Sequence, residues 1–376
     1  MRAVVLAGGR GTRLDPLTRD TPKPMIPLFD IPVIEHQLDW LARNGFRDVT
    51  VSLGHLGHLI ASAHYERRSG MRIRFVSEER PLGTAGAVSW ALRTIGGKEP
   101  FMVVPGDCVA DYDLRAAYQY FQQRGSDLGM VLSRVEDPRP FGVVLTNRNN
   151  QVEGLIEKPA SLEYGNVVNT GIYYLTPRAL NTVIPGSSKD FARDLFPEWI
   201  GHGLPIEGYH AQGYWSDIGS LAQYRQRHFD YMAGRVRLPM AQPVLGKLQI
   251  DSSARILGPV WLGSHVMIEA QATIGPYVVV GHGSRIGAWS KVDHTIIGPK
   301  AVIGAECRIQ QAILAEGVGI DGRSQVSPGA VLGTRCQVGW AGRVPADAHV
   351  DPMARVAPGG SWSAGIWTHD LREARA

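Results

Sequence analysis

Met1-Arg-Ala-Val-Val-Leu-Ala-Gly-Gly-Arg-Gly-Thr-Arg-Leu14 opens the chain, and Asp15-Pro-Leu-Thr18 and Pro22-Lys-Pro-Met-Ile-Pro27 follow closely. Ala3 to Leu6 is an apolar run of strand length, and it feeds a turn whose glycines at 8, 9 and 11 leave backbone amides uncovered for a phosphate. Arg13 and Lys23 bring positive charge to the same turn. No Gly-Lys-Ser/Thr closes it, and Leu14 stands where a dinucleotide fingerprint needs its third glycine. The segment predicts a strand-to-loop nucleotide site distinct from both common phosphate motifs.

Beyond this segment, strand-like runs at 3–6, 48–53, 71–76, 101–104 and 128–132 alternate with helix-like stretches at about 33–44, 84–95 and 113–124. Ile34, Leu38 and Leu41 follow helical spacing, and Gly45 supplies a stop. Such alternation predicts a Rossmann-like α/β domain, a mostly parallel sheet with helices on both faces. Ligands of such sheets bind at the carboxyl ends of the strands.

The C-terminal third has another period. Aliphatic residues recur every six positions from Ile256 through Ile268, Val280 and Val292, restart at Ile297, and run from Leu314 through Val326, Val338 and Val350 to Val356. One inward aliphatic per six residues predicts a parallel β-helix of hexapeptide repeats, similar to the left-handed form. The five-residue steps at 292–297 and 309–314 predict a local irregularity. The expected organisation is therefore a catalytic domain at 1–230, a connector at 231–255, the β-helix at 256–358 and a tail at 359–376. Trp362 and Trp367 of the tail are expected to dock on a coil or a partner.

With 376 residues, 44% hydrophobic and 20% charged, the chain can bury two cores. The net charge of +4 comes without a basic run, which argues against nucleic acid and suits an anionic small substrate. No apolar run approaches a membrane span. Cys108, Cys307 and Cys336 are too few and too scattered for a disulfide framework or zinc site, so a cytoplasmic location is expected.

Gly8-Gly-x-Gly-Thr-Arg-Leu-x-Pro-Leu-Thr18 followed by Pro22-Lys-Pro-Met25 resembles the signature of the sugar-1-phosphate nucleotidyltransferases, most of all the mannose-1-phosphate guanylyltransferases. The similarity continues in pieces to about residue 230 and through the repeats. It implies transfer of GMP from GTP to mannose 1-phosphate, with Mg²⁺ as cofactor, and a homo-oligomer built through the β-helix. Nucleotide binding is expected at Leu6, Ala7, Gly8, Gly9, Gly11, Thr12 and Arg13, and at Gly83 and Thr84 of Leu82-Gly-Thr-Ala-Gly86. That last motif lacks the glutamine usual in thymidylyl and uridylyl enzymes, which favours GTP.

Joining a nucleotide to a sugar phosphate expels pyrophosphate, so charge must be neutralised on two phosphate groups together. Magnesium prefers one or two carboxylates plus phosphate oxygens. Asp107, at the end of the apolar run Val103-Val-Pro-Gly, and Asp217, in Gly213-Tyr-Trp-Ser-Asp-Ile-Gly219, resemble the family's metal aspartates. The resemblance assigns the triphosphate to Arg13 and the α-phosphate region to Lys23. Glu157-Lys158-Pro159 resembles a second signature, in which the lysine binds the sugar phosphate and the acid binds hydroxyls. Gly142, Asn169 and Thr170 lie in segments resembling those that line the sugar.

Other readings remain open at this stage. The same chemistry with UTP, ATP or dTTP and glucose 1-phosphate differs by only a few pocket contacts. A nucleotide-sugar-sensing regulatory subunit would share the fold, although such subunits tend to lose the loop charges or the aspartates. The β-helix could carry acyltransferase activity, with His265, His282 and His294 in its repeats; a capping and oligomerisation module is the plainer reading.

Overall fold

The computed structural model describes residues 1–63, 70–96, 98–184, 186–237 and 246–363. Its N-terminal part begins with β1 (Arg2–Ala7), the short hairpin β2 (Pro27–Leu28) and β3 (Ile31–Pro32), and α1 (Val33–Arg43). Then come β4 (Asp48–Leu53), α2 (Gly57–Ser62), β5 (Arg72–Ser77), α3 (Gly83–Ile95), β6 (Phe101–Pro105) and β7 (Cys108–Ala110). After α4 (Leu114–Gln123), which Asp113 caps by accepting from the Ala116 amide at 2.8 Å, the chain runs through β8 (Leu128–Arg134), β9 (Gly142–Thr146), β10 (Val152–Glu157) and β11 (Val167–Leu175). It closes with α5 (Phe196–Gly201), β12 (Glu207–His210), β13 (Trp215–Asp217) and α6 (Leu221–Met232).

The main sheet has the order β10-β9-β11-β6-β1-β4-β5, with β8 beside β11 and β12 beside β8. Strands β6, β1, β4 and β5 are parallel, as the helix-alternating sequence predicts. From β8 onward the pairing turns largely antiparallel, because β9 and β10 are joined by a short turn and no helix crosses over between them. Alternation along β1 sends Val5 to the face covered by α1 and α4, where Leu38 and Phe121 lie, and Val4 to the face covered by α3, where Ala85 and Val88 lie.

The C-terminal part is a left-handed parallel β-helix of three sheets with seven, six and six strands, running from Gln249–Ile250 to Arg355–Val356. From Ile268 to Val356 the repeat aliphatics fill one dry core. The two short steps leave the stacking intact: Val292 still pairs with Ile309 and Ile297 with Leu314. Their missing residues are absorbed at the corners of His294 and Gln311, where the Gln311 amide donates to Asp293 O at 3.0 Å. Trp362 packs on this core and donates to His349 O at 3.1 Å; Trp367 lies outside the described residues.

One sheet of the β-helix turns an apolar outer face toward the N-terminal part. Trp261, Val279, Ile296, Ile313 and Val331 precede the inward residues of their strands, and all five are buried against Phe29, Tyr224 and Tyr231. Among the described residues, no helix is long and apolar enough to cross a membrane.

Candidate active site

The carboxyl end of β1 opens into a cleft of about 770 Å³. Leu6, Ala7, Gly8, Gly9, Gly11, Thr12 and Arg13 line one side of it, and Gly83 and Thr84 at the start of α3 line another. The glycines answer to geometry. Gly11 sits at φ 68°, and a Cβ on Gly54, after β4, would fall 2.6 Å from Gly8 O. The Gly106 amide donates to Leu6 O at 2.7 Å, which draws the loop after β6 against the loop after β1.

Asp107 and Asp217 come from distant sequence and meet through β7 and β13. Asp217 pairs with Cys108 across that two-stranded ladder, and the Ile218 amide donates to Asp107 O at 3.0 Å. Lys23 forms an ion pair with Asp107, while Gln223 Nε2 donates to Asp217 Oδ1 at 3.1 Å. Burial, joined by the negative charge of Asp107, pushes the Asp217 carboxyl above its ordinary range; Lys23, Arg13 and Arg227 act against that rise. A divalent cation shared with Asp107 would relieve the buried Asp217 carboxylate. Among the described residues no three or more His, Cys, Asp or Glu side chains are arranged so that they alone could hold a metal ion. A metal here would depend on phosphate oxygens and water for its other ligands, which suits magnesium. The Cys108 thiol beside Asp107 is buried, and burial holds it protonated.

The cleft also holds residues that sequence reasoning missed, among them Glu78 beside the glycine turn, whose Oε1 would lie 3.2 Å from a Cβ on Gly8. Glu78, one residue past β5, accepts from the Leu82 amide at 3.0 Å and from Ser52 Oγ at 3.2 Å, yet burial still raises its carboxyl above the usual range. Its place at a strand's carboxyl end is the signal that could have found it. Tyr173 and Asp190 also line the cleft. Asp190 accepts from Thr84 Oγ1 at 2.9 Å, a contact across more than a hundred residues that no local pattern announces.

The expected sugar-side residues divide. Gly142 pairs with Glu157 across β9 and β10, and a Cβ on Gly142 would lie 3.0 Å from Glu157 Oε2 and 4.0 Å from the Asn169 side chain. Lys158 Nζ lies 3.5 Å from Glu157 Oε1. Asn169 donates to Tyr173 OH at 2.9 Å and accepts from the Gly171 amide at 2.9 Å. None of these four residues lines the cleft; Asn169 reaches it only through Tyr173, which does line it together with Gly171. Thr170 is buried and donates to Val131 O at 2.7 Å, so its hydroxyl faces the core. An irregularity in β11 between Asn169 and Tyr173, with Gly171 at φ 76°, interrupts the alternation of side chains there.

A nucleotidyl transferase family model matches residues 2–233, and a model described as the GMPPB C-terminal domain matches residues 256–356. The mannose-1-phosphate guanyltransferase of Aspergillus oryzae is 32% identical over 224 residues, 58% of this chain and 61% of that one. That of Schizosaccharomyces pombe is 30% identical over 263 residues, 67% of this chain and 71% of its own length. A UTP–glucose-1-phosphate uridylyltransferase of Synechocystis is 33% identical over 241 residues, covering 60% of this chain and 62% of the relative. The aligned part of the chain thus spans about three fifths of the length of most of these relatives. HddC from Yersinia pseudotuberculosis, solved with GMP-PN, superposes with a TM-score of 0.54 at 25% identity, over 61% of this chain and 99% of HddC. The glycine turn, the paired aspartates and a sequence match over most of the chain's length agree: the chain belongs to the nucleotidyl transferase family.

Proposed function

We propose that this protein transfers GMP from GTP to mannose 1-phosphate, giving GDP-mannose and pyrophosphate. The observation that carries the reading is that Arg13, Lys23 and Asp107 line a cleft of about 770 Å³ beside the glycine turn, with Asp217 held against Asp107 by the β7–β13 ladder. A phosphate oxygen of the sugar attacks the α-phosphorus, its new P–O bond forms as the bond to the β-phosphate bridge breaks, and pyrophosphate leaves with that electron pair. Arg13 clamps the departing phosphates and Lys23 neutralises the α-phosphate and the incoming nucleophile. Mg²⁺ held by Asp107 and Asp217 would supply Lewis-acid neutralisation of the same oxygens. Because Cys108 is buried and protonated, direct displacement fits better than a covalent enzyme intermediate.

Guanine is favoured by Glu78. Its carboxylate can accept from the two donors that guanine's pairing edge presents, a combination absent from adenine and uracil. The names of the fungal relatives support mannose. Glu157, Lys158 and Asn169 are assigned to the sugar phosphate and its hydroxyls, with Thr170 serving the core. The reading takes residues 1–230 as the catalytic unit and the β-helix as the route to a homo-oligomer; the exposed Trp289, Trp340 and Met353 on its surface support such contacts. Three buried free cysteines suit a cytoplasmic protein.

The test is pyrophosphate release with Mg²⁺ over four nucleoside triphosphates and four sugar 1-phosphates. Activity centred on GTP and mannose 1-phosphate and lost in Asp107→Asn upholds the reading. A different preferred pair would overturn the base and sugar assignment, and no release with any pair would overturn the activity.

A further inference from the structure

The stretch from Gly8 to Pro32 carries both the glycine turn and Lys23, and its outer side rests on the β-helix at three points. Arg19 pairs with Asp351, Thr334 Oγ1 donates to Asp20 Oδ1 at 3.4 Å, and the His282 amide donates to Asp30 Oδ2 at 2.7 Å. The third contact is the most enclosed. Phe29 and Asp30 form the tip of the β2–β3 hairpin, with φ of 52° and 65°. The Phe29 ring lies between His228 (4.8 Å), Tyr231 (5.5 Å) and Trp261 (5.4 Å). A Cβ on Gly263 would come within 2.5 Å of Asp30 Oδ2, and one on Gly281 within 2.7 Å of Asp30 Oδ1. Two successive coils therefore leave room, by lacking side chains, for one carboxylate of the other part of the chain.

From that anchor a short, fully bonded path leads back to Lys23. The Val33 amide donates to Ile26 O at 3.1 Å and the Ile26 amide to Lys23 O at 3.2 Å, while Tyr224 OH donates to Pro27 O at 2.7 Å. On the cleft side Lys23 is pressed against the glycine turn, since a Cβ on Gly11 would lie 3.1 Å from its Cβ. We propose that Asp30 is a positioning residue for Lys23: through the backbone of His282, the β-helix fixes where the Lys23 ammonium stands relative to Asp107 and the reacting phosphates. The proposal rests on the role given to Lys23 above, and it makes the β-helix part of the catalytic apparatus beyond any function in assembly.

The experiment compares wild type, Asp30→Asn and Asp30→Ala by steady-state pyrophosphate release, by thermal melting, and by the rate at which an amine-acylating reagent labels Lys23, with Lys98 and Lys291 as internal references. The alanine variant is expected to lose about tenfold in kcat with KM for GTP nearly unchanged, because misplacing one catalytic group is costly. Lys23 should label several-fold faster in it while the reference lysines do not change. Asp30→Asn, whose amide oxygen still accepts from His282, should restore both readouts. If the alanine variant does not fold, Asp30→Ser decides by the same comparison. Unchanged Lys23 labelling or unchanged kcat in a folded variant would overturn the proposal. A wild type inactive with every substrate pair would instead sink the proposed function, with the labelling still deciding whether Asp30 holds Lys23.

Discussion

Glu78 and Asp217 are both carboxyls raised by burial, and the groups around them give them different work. Asp217 faces Asp107 together with Lys23, Arg13 and Arg227, so its burden is relieved by positive charge. Glu78 is held by one amide and one hydroxyl, and under the proposed function it accepts hydrogen bonds from the base. Glu78→Gln replaces an acceptor oxygen with a donor, so kcat/KM for GTP should fall by about 10- to 100-fold and that for UTP by much less. Competition between the two nucleotides measures this directly. His228 gives a prediction of another kind. Its Nδ1 lies 3.1 Å from Tyr224 O, and burial draws its pKa down to about 3 from the ordinary 6.5. The unfolded chain takes up a proton at this residue below pH 6.5 and the folded chain does not, so stability is full above that pH and lost as the pH falls toward 3. Between pH 7.5 and 5.5 this residue should cost about 1.4 kcal/mol, and His228→Gln should show a slope shallower by that amount in urea titrations at the two pH values.

Among the elements, the hexapeptide helix was the most legible. One aliphatic in six residues is enforced by the dry core, and Ile268, Ile286, Ile303 and Ile320 stack as that period demands. The corners were not legible, because Lys300, Arg335 and Met353 adopt positive φ where a glycine would be expected. Each is fixed by its own amide bonding the coil before it, as from Lys300 to His282 O at 2.8 Å and from Arg335 to Glu316 O at 2.9 Å. Nor was the second stripe read, although Trp261, Val279, Ile296, Ile313 and Val331 recur once per coil and reveal a face that needs a partner. In the N-terminal sheet, β1 and its loop followed from glycine spacing. Thr170 follows no simple alternation, because β11 is irregular between Asn169 and Tyr173 and the Thr170 hydroxyl donates to Val131 O. Ile296, 3% exposed, is the sharpest probe of the docked face. Ile296→Ala should cost about 2–5 kcal/mol, read as a lower melting temperature and denaturant midpoint. Gly281→Ala should be worse tolerated, since its Cβ would fall 2.5 Å from Pro299 N, in backbone that has little room to move.

For the whole molecule, the consequence is that its two parts are one mechanical unit behind the cleft. The shared cluster of Phe29, Tyr224 and Tyr231 with the β-helix face lies behind the segment that carries Lys23. Unfolding should accordingly be cooperative, with intrinsic tryptophan fluorescence and far-ultraviolet circular dichroism changing together. Its chemistry should likewise be one displacement at one site, without a half-reaction in the absence of sugar phosphate. Phosphorus NMR of wild type and Asp107→Asn with GTP, mannose 1-phosphate and Mg²⁺ tests this most directly. The account predicts GDP-mannose and pyrophosphate appearing in equal amounts in the wild type, with the rate at least about 100-fold lower in the variant. Orthophosphate in place of pyrophosphate, or no nucleotide sugar at all, would contradict it.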